Sequence, residues 1–155
     1  MTRTRIAAAA AAGSALLLCG AFVFQALGYP PCKMCLWQRW PHVVAVLCGF
    51  GYIWLHKRNF LWAGAAAALS TAAIGLYHAG VEQRWWEGPS SCSSGSVGGL
   101  SVDELLNQIL AAPVVRCDEI AWQLMGISMA GWNAIISLAL AALWSSAALS
   151  RRHIA

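Results

Sequence analysis

The sequence predicts an all-α membrane protein: a four-helix transmembrane bundle with two exported loops, the second containing a short amphipathic helix. Three observations lead there. Of 155 residues, 59% are hydrophobic and only 10% are charged, where an ordinary soluble protein carries about 25%. The mean hydropathy is +0.60, and charge-free stretches of membrane-spanning length separate the charges. The charges also divide by sign between the two ends of those stretches. The net charge of +4 does not point to nucleic acid, because the ten Lys and Arg fall in ones and twos at the edges of apolar runs, with no basic stripe.

Ile6 to Leu27 is an apolar stretch of 22 residues, enough at about 1.5 Å per residue to cross a hydrocarbon core of about 30 Å. Met1 to Arg5 also resembles the basic start of a cleaved export signal. The apolar stretch exceeds the about 7–15 residues of a signal core, however, and Phe24 and Gln25 precede the best cleavage point, after Ala26, where small residues are wanted. It is therefore read as the first span. The second runs from about Trp40 to His56, with Pro41 at a first-turn position where a missing N–H costs nothing. The third is roughly Phe60 to Ala79, and the fourth roughly Gly126 to Leu149. The exported loops are then about 28–39 and 80–125, in a single membrane domain over 1–155 with both termini on one side.

Charge sets the orientation. Arg3, Arg5, Lys57, Arg58, Arg151 and Arg152 share one side with no acidic residue, which makes that side cytoplasmic. All six acidic residues, Glu82, Glu87, Asp103, Glu104, Asp118 and Glu119, lie in the segment facing the other way. Trp37, Trp40, Trp85, Trp86 and Trp122 are expected near the exported face and Trp54, Trp62 and Trp144 near the cytoplasmic one, which leaves Trp132 inside a span. Small residues at Ala7 to Ala12, at Ala65 to Ala68, and at Gly126, Ser128, Ala130 and Gly131 predict close helix packing.

In the second exported loop, Gly88 to Gly99 (GPSSCSSGSVGG) is a flexible stretch. A small helix follows, roughly Val102 to Ala112. Ser101 and Glu104 fit a capping box, Asp103 and Glu104 suit the positive helix end, and Pro113 follows the stop. Leu105, Leu106, Ile109 and Leu110 form one apolar stripe, fit to lie on the membrane surface, to pack on the bundle, or to serve a plain connector.

Of six cysteines, Cys19 and Cys48 fall inside spans and read as small apolar packing residues, since a thiolate is costly in hydrocarbon. Cys32, Cys35, Cys92 and Cys117 all fall in the exported loops, and four in an oxidising compartment imply two pairs. Cys32 and Cys35 form a C-x-x-C, a spacing suited to exchange more than to stapling. Cys92 and Cys117 lie 25 positions apart in a Gly/Ser-rich loop, where a disulfide is geometrically possible and open to an incoming thiolate. Structural disulfides remain an alternative. A four-thiolate metal site is another, although the 24 residues between Cys92 and Cys117 break the usual spacing of two close pairs. Arg39 lies four positions after Cys35, so a helix beginning near the motif puts both on one face. There the cation favours a Cys35 thiolate and can polarise the carbonyl of an electron acceptor, or it simply snorkels to the interface.

The segments PPCKMCLWQRWPH (Pro30 to His42), GLYHAGVEQRWWEGPSSC (Gly75 to Cys92) and VVRCDEIAWQLMGISMAGWNA (Val114 to Ala134) together resemble the DsbB family of membrane disulfide-generating oxidoreductases. The resemblance covers essentially the whole chain. Its specificity lies in the combination of four spans, a C-x-x-C in the first exported loop, an Arg four residues later and a second cysteine pair in the second loop. It implies a relay in the bacterial inner membrane, with both termini cytoplasmic and the cysteine loops periplasmic. Cys92 would take the mixed disulfide with a reduced, soluble, thioredoxin-fold DsbA-like partner, and Cys117 would exchange onward to Cys32. Cys35 would be the thiolate beside a membrane quinone, ubiquinone or menaquinone, with Arg39 stabilising charge and His78 near the ring.

The chemistry suits that division. Thiol exchange needs mobile sulfurs that can meet a bulky partner, whereas a lipid-soluble oxidant needs a site at membrane depth. His78, near the exported end of the third span, fits interfacial packing as well as a role near quinone, and Glu82 and Arg84 read as interface charges. Three hypotheses stand: a quinone-linked thiol oxidase, a non-enzymatic scaffold with structural disulfides, and a thiolate metal-binding membrane protein.

Overall fold

A computed structural model describes residues 2–89, 92, 101–111 and 115–150. The expectations for Arg151 and Arg152, for most of the flexible stretch around Cys92 and for the stop at Pro113 lie outside the described residues. The chain is mostly helical, and four long helices form the bundle: α1 (Arg3–Ala26), α2 (Lys33–Leu55), α3 (Asn59–Glu82) and α5 (Met129–Leu149). Between α3 and α5 come the short α4 (Val102–Ala111) and a two-stranded hairpin, β1 (Gln123–Leu124) and β2 (Ile127–Ser128). Around the bundle, α1 packs on α2 and α5, and α3 packs on the same two helices from the opposite side. By length and composition, α1, α3 and α5 are each able to cross a membrane.

Local chemistry sets the helix ends. Thr2 caps α1 by accepting the Arg5 N–H at 3.4 Å, and Ser128 caps α5 by accepting the Gly131 N–H at 3.2 Å. The cap of α2 is Cys32, whose sulfur accepts the Cys35 N–H at 3.3 Å. This start lies seven residues before the expected Trp40. Pro41 is consequently not at a first turn but inside α2, where it gives no hydrogen bond to the Trp37 carbonyl. In α4, Ser101 Oγ accepts the Glu104 N–H at 3.4 Å and Glu104 Oε2 accepts the Ser101 N–H at 2.8 Å, the reciprocal bonds of a capping box. Leu106 and Leu110 of the α4 stripe are exposed, while the side chains of Leu105 and Ile109 lie outside the described residues.

The start of α5 corrects a second boundary. Gly126 was expected inside a span, but Met125 (φ 53°) and Gly126 (φ 77°) are the central residues of a two-residue turn, with Leu124 paired to Ile127 and Gln123 to Ser128. Two successive left-handed residues match the twist of a tight hairpin and cannot continue a helix.

Small residues let the helices approach. A Cβ on Gly75 would lie 3.0 Å from the Ala130 carbonyl oxygen and 3.1 Å from the Ala134 nitrogen, so α3 meets the backbone of α5 directly. A Cβ on Gly64 would come within 2.7 Å of the Trp144 ring. Trp144, near the end of α5, points into the bundle: it is fully buried among Ala65, Ala68, Leu61 and Tyr52. Trp132, expected inside a span, lies in the first turn of the membrane-capable α5 and donates from Nε1 to the Leu124 carbonyl at 3.2 Å. Cys48 is buried in this core, but Cys19 is exposed on the outer face of α1 and packs against nothing in the core.

Candidate active site

The N-terminal end of α2 carries the reactive motif. Cys32, buried, and Cys35, half-buried, are thiols whose sulfurs lie 3.0 Å apart. The hydrogen bond to the Cys35 sulfur, and then burial, push the Cys32 thiol well above its ordinary range. The proton thus stays on Cys32, and Cys35 is the sulfur able to carry the negative charge.

Cys92 and Cys117 form a disulfide with Cα atoms 5.3 Å apart, and the Cys117 N–H donates to the Cys92 carbonyl at 2.8 Å. The expectation that this pair stands open to an incoming thiolate is corrected. Both residues are buried, 1% and 0% exposed, in a small core with Cys32, Met34 and Val81. The two cysteine pairs are thus packed together, one as a disulfide and the other as a dithiol.

His78, on α3, lies over the motif. Its Nε2 is 3.6 Å from Cys32 Sγ, and its Nδ1 is 2.9 Å from Gln38 Nε2. Because the Gln38 amide nitrogen also donates to the Met34 carbonyl at 3.2 Å, it can only donate to His78, which makes Nδ1 an acceptor and puts the ring hydrogen on Nε2, facing the sulfur. Cys32, Cys35 and His78 have their donor atoms within 4.8 Å of one another, the spacing of a metal set. In this tautomer, however, the nitrogen facing the sulfurs carries a hydrogen and is not a metal donor.

Glu82 is not a surface charge. Its side chain is only 6% exposed, lies 3.9 Å from His78 Nε2, and has one oxygen without a hydrogen-bond partner. Arg84 is exposed, in a left-handed turn after α3. Arg39 follows Cys35 by one helical turn and reaches across to α1, where it donates to Gln25 Oε1 at 2.9 Å and to the Ala21 carbonyl at 3.4 Å, with its guanidinium 4.9 Å from the Phe22 ring centre.

Cys32, Cys35, Arg39 and His78 all border one cavity of about 380 Å³ between α1, α2 and α5, whose other walls include Leu16, Phe24, Trp132 and Met129. Cys92 and Cys117 do not border it; they lie behind Cys32. A cavity of this size, apolar apart from a few polar groups at one wall, suits a flat, largely apolar molecule with one or two polar oxygens. At its mouth, Arg116 bonds Asp118 Oδ1 at 3.0 Å and lies 3.4 Å from Glu119; that guanidinium holds the Asp118 carboxyl below the usual carboxylate range.

Sequence reasoning passed over Gln38, His42, Thr71 and Asn133, which link α2, α3 and α5 by hydrogen bonds beneath the cysteines. A signal was present, since a lone Asn or His inside an apolar span is costly unless it is partnered or functional.

The family model described as "Disulfide bond formation protein DsbB" matches residues 3–147. A "Disulfide bond formation protein B" of Verminephrobacter eiseniae is 33% identical over 83% of this chain and 78% of its own length. A "Disulfide bond formation protein B 2" of Pseudomonas aeruginosa is 32% identical over 93% and 90%. An uncharacterized protein of Rickettsia prowazekii is 25% identical over 72% and 67%. No solved structure matches the chain. With membrane-capable helices, a disulfide packed against a dithiol and a family match over nearly its whole length, the chain belongs to the DsbB family and is an integral membrane oxidoreductase that forms disulfide bonds.

Proposed function

We propose that the protein reoxidises a soluble, DsbA-like periplasmic dithiol protein and passes the two electrons to a membrane quinone, ubiquinone or menaquinone. The observation that carries this reading is the packing of both cysteine pairs against each other at the wall of an apolar cavity that also presents Arg39. In the overall exchange, the partner's two thiols become a disulfide, the quinone becomes a hydroquinone, and the two thiol protons end on its oxygens.

Cys92 and Cys117 exchange with the partner, and because both are buried, that exchange requires the loop holding them to lift. As a thiolate, Cys117 attacks Cys32 in the oxidised, Cys32–Cys35 disulfide form of the motif, in the same small core; the Cys117–Cys32 bond replaces the Cys32–Cys35 bond, and Cys35 leaves as the thiolate. His78 Nε2–H lies 3.6 Å from the Cys32 sulfur and orients it for that attack. Cys35 holds its negative charge at the cavity wall, and Arg39 supplies a fixed cation one turn below it. The bound quinone supplies a two-electron acceptor. All four bundle helices, α2 included, span the inner membrane in this reading, with both termini cytoplasmic and the cysteines periplasmic.

The test is quinone reduction in nanodiscs with a reduced DsbA-like donor, comparing the unmodified protein with Cys35→Ser. Reduction that needs both the donor and Cys35 supports the relay. Full activity in the variant, or none in the unmodified protein with either quinone, sinks it.

A further inference from the structure

One face of α1 runs through Gly13, Leu17, Gly20 and Phe24, at i, i+4, i+7 and i+11. Both ends of that row meet the α5 side of the bundle. A Cβ on Gly13 would lie 2.5 Å from a methyl group of Leu140 on α5. At the other end, the ring centres of Phe24 and Trp122 are 5.0 Å apart, and Trp122 immediately precedes the hairpin that leads into α5. Leu17 packs against the core that holds Leu140. Between them, a Cβ on Gly20 would meet nothing within 4 Å. Leu17, Gly20 and Phe24 all line the cavity, so the open space in front of Gly20 is cavity space.

Glycine is a poor residue for the middle of a helix, where alanine is the most favourable. At Gly13 close packing accounts for it, because any side chain would strike Leu140. No other part of the described chain approaches Gly20, so there the glycine leaves room for something the chain does not supply. Arg39 fixes the depth of that room, since it donates to the carbonyl of Ala21, the next residue, at 3.4 Å. Arg39 follows Cys35 by one helical turn and lines the same cavity. Gly20 therefore faces the cavity beside the guanidinium, at the level of a ring held within reach of Cys35 and Arg39.

We propose that Gly20 is a specificity-determining residue: the side chain it lacks widens the ring slot enough to admit a fused, two-ring quinone, whose second ring takes that space. The inference rests on the quinone reading above and deepens it, naming naphthoquinones among the acceptors and the residue that admits them. Single-ring quinones fit the same slot without needing the extra width. Shape does the discriminating, because the neighbours of Gly20 on this face, Leu17 and Phe24, are apolar and offer no side-chain hydrogen bond that would tell one ring system from the other.

The test measures binding of two tail-less, fully substituted quinones to the whole chain, in a Cys35→Ser background so that no electrons move. Duroquinone has a single ring; dimethylnaphthoquinone carries a second ring in place of two of its methyl groups. With Gly20 present, the naphthoquinone is expected to bind at least as tightly as duroquinone, since its second ring adds buried apolar surface. Gly20→Val is expected to weaken naphthoquinone binding by about tenfold or more and duroquinone binding by less than about threefold. Equal losses for both, or rejection of the two-ring form while Gly20 is present, would overturn the proposal. Gly20→Ala keeps the test decisive should the valine protein fail to fold. Its Cβ enters open space and its helix propensity is better, so its thermal unfolding midpoint should not fall, yet the naphthoquinone-to-duroquinone affinity ratio should drop by about two- to threefold. An unchanged ratio in the alanine protein overturns the proposal. If neither quinone binds saturably even before Gly20 is changed, the quinone reading itself falls and takes this inference with it.

Discussion

Arg39 shows how much geometry one side chain carries. Its guanidinium bonds two groups of α1 at once, the Gln25 side chain and the Ala21 carbonyl, while facing the cavity below Cys35. A lysine keeps the charge but loses the planar fork that makes two bonds from fixed positions. Arg39→Lys is therefore expected to raise the apparent KM for quinone by about three- to tenfold, two weak bonds' worth, with the donor's KM unchanged; an unaltered quinone dependence would count against that role. In the core, Trp144 fills the space that Gly64 leaves open. Trp144→Ala should lower stability by about 3–5 kcal/mol through the cavity it creates, read as thermal unfolding in detergent. A change below about 1 kcal/mol would mean the neighbouring helices close the gap.

Cys32 has a role in its element as well as in the proposed relay. Its sulfur caps α2 by accepting the Cys35 N–H, so the helix start and the reactive sulfur depend on the same atom. Cys32→Ser and Cys32→Ala should both abolish turnover. The serine retains an oxygen acceptor at the cap, and the alanine variant is expected to be less stable by about 1 kcal/mol, measured as the difference in unfolding free energy between the two. Equal stabilities would remove the capping role. The other end of the site depends on a cap too. The hairpin turn at Met125 and Gly126 stops any earlier helix, and Ser128 then starts α5 so that Asn133, one turn on, reaches Gln38.

At the scale of the whole molecule, the four bundle helices bring the start of α1 and the end of α5 to one end, where Arg3 bonds Ser150, and both cysteine pairs to the other. The proposed topology places the cysteines on the periplasmic side. In sealed inverted membrane vesicles, a membrane-impermeant maleimide should leave the reduced loop cysteines unmodified until the vesicles are opened, while a tag at either terminus is accessible from the start. Modification of Cys32 or Cys35 in the closed vesicles would reverse the orientation.

The sequence by itself determined the class of the molecule. Runs without charge have few alternatives to membrane helices, because a backbone in hydrocarbon must satisfy its own hydrogen bonds. The C-x-x-C and Arg39 were legible for a similar reason: their relation is local, set by helical spacing. What lies far apart in sequence was not legible. Nothing in the spacing of Cys92 and Cys117 reveals that they pack behind Cys32, and Glu82, read as an interface charge, is turned inward only by the packing of α3. Composition likewise does not say that Trp144 fills the space beside Gly64 or that Trp132 bonds the hairpin, since it does not tell which side of a helix meets a glycine and which end meets a turn. Only the tertiary structure decided the site's polar floor. Gln38, His42, Thr71 and Asn133 come from three helices and acquire donors, acceptors and tautomers only when those helices pack.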